Sequence, residues 1–214
     1  MALDGAYTLD DLVRMTSNGK QKPARHSISS DELAALSRRH VAVGTGRTIA
    51  RARPVKRRLL GIDPGTRFVG WGLIELHDHT LRLLDSGCIA PPSKFELKRR
   101  LCHIFSELEA VLIEARPDAA ALEETFAGVN MKSVLAMGEG RGVALLCLAR
   151  ANLEVLELSP RSIKQAVTGN GASGKAQVAA MVAAHLGLKK APEPEHVSDA
   201  LAAAIALARR YAHS

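Results

Sequence analysis

The chain has 214 residues, with 29 Lys or Arg against 22 Asp or Glu, long enough to bury the core of one domain. No uninterrupted apolar run approaches the ~18 residues of a membrane helix, and three widely spaced cysteines fit reduced thiols better than a disulfide framework. The net charge of +7 points toward nucleic acid, but it is unevenly placed: residues 1–58 hold 12 basic and 5 acidic side chains, and residues 59–214 hold 17 of each.

The first 58 residues read as a basic N-terminal extension, flexible rather than folded as a domain. Thr8 to Asp11 and Ser29 to Glu32 carry the hydroxyl-x-x-acid pattern of a helix start, so short helices are expected over Leu9 to Met15 and Asp31 to Arg39. Ser17-Asn18-Gly19 is a stop between them, and Val43 to Arg58 is a Gly- and Arg-rich tether. There is no apolar h-region, and Asp4, Asp10, Asp11, Asp31 and Glu32 argue against a targeting peptide. Cys88, Cys102 and Cys147 sit in apolar patterns and read as reduced core thiols. A cytoplasmic location is expected.

From Leu59 the pattern changes. Leu59 to Ile62, Gly70 to Leu76 and Leu81 to Ile89 are apolar runs separated by Asp63-Pro64-Gly65-Thr66 and His77-Asp78-His79, which predicts a three-stranded antiparallel meander. Phe95 to Ala115 places Leu97, Leu101, Ile104, Leu108, Val111 and Leu112 at helical spacing, ending near Pro117. Ala119 to Glu123 is a buried strand, Met131 to Asn152 a long helix and Leu153 to Leu158 a further strand. Helices over Pro160 to Val167, Lys175 to Leu186 and His196 to Tyr211 complete the chain. The expected class is α/β: a mixed sheet of three antiparallel strands, then two parallel ones, flanked by helices.

Four residues join chemistry to this framework. Asp63 follows the first strand directly and is held by a Pro-Gly turn; ordinary turn chemistry is the alternative. Glu123 ends the strand Ala119 to Leu122, with Glu124 beside it, and alternation lets only one of the two share a face with Asp63. Two strand-end carboxylates suit a hard divalent cation. His196 and Asp199 lie three apart at the start of the last helix, within one turn of Glu195; helix capping is the alternative there.

Gly61-Ile62-Asp63-Pro64-Gly65-Thr66-Arg67, Leu122-Glu123-Glu124-Thr125-Phe126, Gly138 to Ala144, Arg161 to Gly169 and Asp199-Ala200-Leu201-Ala202 resemble, in order and spacing, the motifs of the RuvC Holliday-junction resolvases. The resemblance covers Leu59 to about Tyr211, so residues 59–214 are expected to form the nuclease domain. It implies an RNase H-like fold and a homodimer that nicks two opposed strands of a four-way DNA junction symmetrically, with a branch-migration motor as a further partner. It places the catalytic metal ligands on Asp63, Glu123, His196 and Asp199. These would hold two divalent cations per subunit, magnesium or manganese, for hydrolysis without a covalent nucleophile.

His196 departs from the commoner Asp of the family. An imidazole removes one negative charge and suits manganese better than magnesium, so manganese is the expected preference. Glu195 is a rival ligand whose spacing to Asp199 is off by one. The resemblance also matches Phe126 to an aromatic that wedges at the junction centre, and Lys164 and Lys175 to basic residues at the scissile phosphate. It suggests Arg67, Asn130 and Lys132 as further DNA contacts. A core position for Phe126 and solvated surface positions for the lysines are the alternatives. Gly169 to Gly174 lacks the Gly-Lys-Ser/Thr ending of a P-loop. Two other functions stay open: a non-catalytic junction-binding protein, and an actin-like ATPase, for which no second phosphate-binding turn is found.

Overall fold

Alternation of aliphatic side chains builds five strands in the computed structural model, which describes residues 56–124 and 131–212, with the backbone alone at 131–133. They are β1 (Arg57–Asp63), β2 (Val69–His77), β3 (Thr80–Ile89), β4 (Ala119–Glu123) and β5 (Glu154–Leu158). They form one sheet in the order β3-β2-β1-β4-β5. The β1–β2 and β2–β3 pairs are antiparallel, and β1–β4 and β4–β5 are parallel. The mixed sheet expected from the sequence is therefore the one observed. The helices expected over residues 9–39 lie outside the described residues.

Among the described residues five helices cover the sheet: α1 (Leu97–Ala115), α2 (Met131–Arg150), α3 (Pro160–Thr168), α4 (Lys175–Leu186) and α5 (Glu195–Ala212). One sheet face packs Leu60, Ile62, Ala120 and Leu122 against Ile104 and Leu108 of α1 and Ala144, Cys147 and Leu148 of α2. The other packs Leu59, Ala119 and Ala121 against Ile163 and Val167 of α3, Val178 and Val182 of α4, and the length of α5. Residues Ala119 to Leu122 of β4 are fully buried, as a central parallel strand with both faces covered must be.

Helix α5 lies unusually close to the sheet, and glycine makes this possible. A Cβ on Gly61 would stand 1.9 Å from the carbonyl oxygen of Ala200, and one on Gly70 would stand 1.9 Å from that of His196. Hydrogen at these positions lets the helix backbone touch β1 and β2. The helix is buried around most of its circumference from Val197 to Ala208, which explains its run of small residues.

Two expectations change. Strand β1 opens at Arg57, two residues before the apolar run, so the boundary drawn at residue 58 falls inside the strand. Arg57 and Arg58 pair with Leu76 and Glu75, the Arg58 amide donates to Asp118 Oδ2 at 2.6 Å, and the Arg57 guanidinium lies 4.6 Å from the Tyr211 ring centroid. These are backbone and polar contacts, to which hydrophobic periodicity is blind. The cysteines are all free, but only Cys147 is buried; Cys88 is intermediate and Cys102 exposed. The inward stripe of α1 runs through Ile104, Leu108 and Leu112, and Cys102, two positions before Ile104, falls on the far side of the helix.

Candidate active site

In β1, Leu59, Gly61 and Asp63 face α5, while Leu60 and Ile62 face the opposite layer. The same alternation in β4 sends Ala119 and Ala121 toward α5, and Glu123 follows them by parity. Because β1 and β4 are parallel with Ile62 opposite Leu122, Asp63 and Glu123 emerge side by side at the carboxyl ends of two neighbouring strands. The contacts at Gly61 and Gly70 then set the first turn of α5 against that edge.

There His196 Nδ1 and Asp63 Oδ2 are 2.7 Å apart. Lys175 opens α4 directly after its Gly174 cap and also lines the cleft. Its ammonium pairs with Glu195 and lies 3.8 Å from Asp199 Oδ2. A cleft of about 300 Å³ is lined by Asp63, Glu123, His196 and Asp199, with Lys164 and Lys175 at its side. All four expected metal ligands thus share one cleft with both expected phosphate-binding lysines.

Burial dominates the electrostatics of the cleft, with repulsion between carboxylates second. Burial, then the charges of Asp63 and Asp199, push the Glu123 carboxyl up to about 7. Asp199 is raised by burial and by Asp63, with Lys175 opposing. Asp63 is raised by burial, against the hydrogen bond and charge of His196. Glu195 behaves differently: it is exposed, and its hydrogen bond to Lys175 holds its carboxyl below the usual range.

Among the described residues, no three His, Cys, Asp or Glu side chains are already gathered around a common point for an ion. Asp63 is engaged by His196, and Asp199 lies near the Lys175 ammonium. The donor set nevertheless fits a divalent cation chemically. Three crowded carboxylates held above their ordinary pKa and one imidazole line the same cleft, and a bound cation would relieve that crowding.

Arg67 is exposed on the loop between β1 and β2. Phe126 and Asn130 lie outside the described residues, as does the side chain of Lys132. Glu195 faces Lys175 rather than the carboxylates. One neighbour of the site is not foreseen by sequence reasoning: Phe68 stacks on His196, with ring centroids 5.3 Å apart and planes 21° from parallel. The available signal was a large aromatic in a short turn between strands, where polar residues are usual.

Carboxylates at the ends of β1 and β4, a helix that brings two more polar ligands to them, and this mixed sheet between helical layers define a nuclease of the RNase H-like class. The family described as "Crossover junction endodeoxyribonuclease RuvC" matches residues 59–207, and the chain belongs to it. The crossover junction endodeoxyribonuclease RuvC of Chloroflexus aurantiacus is 45% identical over 148 residues, 69% of this chain and 90% of that protein. The structure of T. thermophilus RuvC in complex with Holliday junction substrate is similar with a TM-score of 0.66 and 34% identity, over 70% of this chain and 92% of that one. The yeast mitochondrial Holliday junction resolvase, at 10% identity and a TM-score of 0.56 over 73% of this chain and 79% of that one, shares the fold.

Proposed function

We propose that this chain resolves four-way DNA junctions as a homodimer, with Asp63, Glu123, His196 and Asp199 holding two divalent cations in each subunit. Family membership makes it a crossover junction endodeoxyribonuclease, a hydrolytic nuclease; that sets aside the actin-like ATPase. The observation that carries the site assignment is the side-by-side emergence of Asp63 and Glu123 from parallel strands, with His196 2.7 Å from Asp63. Bound cations would supply an activated water and charge stabilisation at the scissile phosphate.

The protein's own groups do the rest. Asp63 and Glu123 are fixed by strand backbone, so their carboxylates cost little to orient. Lys175 and Lys164 flank the cleft, where their ammonium groups can meet phosphate oxygens, which for Lys175 would replace Glu195 and Asp199 as partners. Arg67, Phe126, Asn130 and Lys132 are the further DNA contacts in this reading, Phe126 as the wedge at the junction centre. No side chain here serves as a covalent nucleophile.

Dimerisation is supported by a face of α2. Leu135 and Leu146 are 66% and 53% exposed, and nothing lies within 4 Å of where a Cβ would stand on Gly138 or Gly142. These four residues share one stripe of the helix, an apolar, low-relief surface suited to a second copy. The basic residues 1–55 are proposed as an extension that adds phosphate contacts. A branch-migration motor is proposed as a partner and the cytoplasm as the location; no helix among the described residues is long and apolar enough to cross a membrane.

The imidazole of His196 suits manganese over magnesium. Incubating a synthetic four-way junction with the protein and each metal in turn tests the reading. Paired symmetric nicks, faster with manganese, are the expected result. Binding without cleavage would favour the non-catalytic reading, and a clear magnesium preference would overturn the metal assignment.

A further inference from the structure

We infer that Phe68 is a positioning residue for the imidazole of the site: its ring holds the plane of His196 so that Nδ1 stays on Asp63 while Nε2 is presented to the cleft. The inference rests on the reading of His196 as a cation ligand, and it begins with the two backbones.

Phe68 ends the short loop between β1 and β2, and Gly70, two residues on, has its Cα pressed against the carbonyl of His196. The start of β2 and the first turn of α5 are therefore in direct contact. The aromatic ring extends across that contact to stack on the imidazole at 5.3 Å. Phe68 remains 47% exposed, so its place is not explained by burial in the core.

His196 needs such a support. Its side chain is 40% exposed, too open for surrounding packing alone to choose a ring orientation. One hydrogen bond, to Asp63 Oδ2 at 2.7 Å, fixes a single ring atom. An ionised carboxylate only accepts, so the Nδ1 that meets it carries the proton and donates. In the neutral ring Nε2 then keeps the lone pair, and no hydrogen bond to it is found among the described residues. Rotation about the Cβ–Cγ bond would break the bond to Asp63. The stacked face of Phe68 opposes that rotation, because tilting the ring sacrifices the stack. The arrangement is a carboxylate–histidine pair with an aromatic brace, and outer partners of this kind tune ligand orientation and metal affinity.

Replacing Phe68 tests this without touching a proposed ligand. In the full-length, metal-free protein, at a pH where the imidazole is neutral, nitrogen-detected NMR of the His196 ring is expected to show a protonated Nδ1 and a bare Nε2. Phe68→Ala should give a mixture of tautomers and weaken binding of manganese chloride, measured by calorimetry, by on the order of tenfold. Phe68→Tyr should restore both, and Phe68→Leu, which keeps apolar bulk without an aromatic face, should not. An unchanged ring spectrum in Phe68→Ala would overturn the inference, as would unchanged manganese affinity. If the unaltered protein binds no manganese, the cation reading of His196 fails, and the spectra still decide whether Phe68 sets the ring.

Discussion

The Nζ of Lys175 lies 3.8 Å from Oδ2 of Asp199 while also pairing with Glu195. One ammonium therefore serves an exposed carboxylate and a half-buried one at the mouth of the cleft, and it lowers the pKa of Asp63, Glu123 and Asp199 against their burial. Lys175→Met is expected to leave folding intact, since the side chain is 69% exposed, and to reduce kcat on a junction by about 10²-fold. Single-turnover cleavage with bound junction measures it. Loss confined to KM would show instead that Lys175 contributes only ground-state binding.

The position of Glu123 makes metal-free stability depend on pH. Its folded pKa, about 7, stands above the ordinary 4.5. The neutral form is thus favoured by folding: its contribution is present below pH 4.5 and is lost as pH rises through 7. The loss is on the order of 3 kcal/mol. Thermal melts in chelator should show stability falling between about pH 5 and 8, and Glu123→Gln should flatten that slope. Bound manganese should restore stability most at the alkaline end, where the carboxylate is free of its proton. A metal-free protein that gains stability across this range would contradict the assignment.

Replacement of His196 by Asp restores a carboxylate to the cleft. The variant should remain active and shift its preference toward magnesium, because the added oxygen ligand and negative charge favour the harder ion. Cleavage rates titrated with each metal give the comparison. Asp63→Asn and Asp199→Asn should each abolish cleavage while leaving junction binding in gel shifts.

Close packing of α5 predicts intolerance at two glycines. Gly61→Ala drives a methyl group to 1.9 Å from the Ala200 carbonyl, and the resulting strain is expected to cost about 3 kcal/mol or more. Gly70→Ala meets the backbone of His196 in the same way and should weaken manganese binding as well as stability. Urea unfolding with and without metal separates the two effects.

Removal of residues 1–55 should flatten the dependence of junction affinity on salt if the extension binds phosphates, since every phosphate that the shortened protein leaves unneutralised takes nearly one counterion from the slope. The cut must stop there because Arg57 and Arg58 are part of β1. An equal slope in the two proteins would exclude the extension from DNA.

Much of this was legible in the chain itself, because both carriers of information are local. Hydrophobic period marked nearly every strand and helix among the described residues, and Asp63 and Glu123 stand out as acids that end apolar strands. Polar and backbone contacts left no such trace: Arg57 and Arg58 join β1 through pairing, and Cys102 faces outward because of a helical phase that two residues decide. The order of residues alone establishes which groups are available to the site and that the chain is of the RuvC kind. How those groups meet is a matter of packing in three dimensions. The parallel register of β1 and β4 sets Asp63 beside Glu123, two glycines let α5 carry His196 onto Asp63, and Phe68 and Lys175 become neighbours of the site through contacts made by residues far apart in the chain. Such contacts depend on the packing of whole elements, which no local pattern encodes.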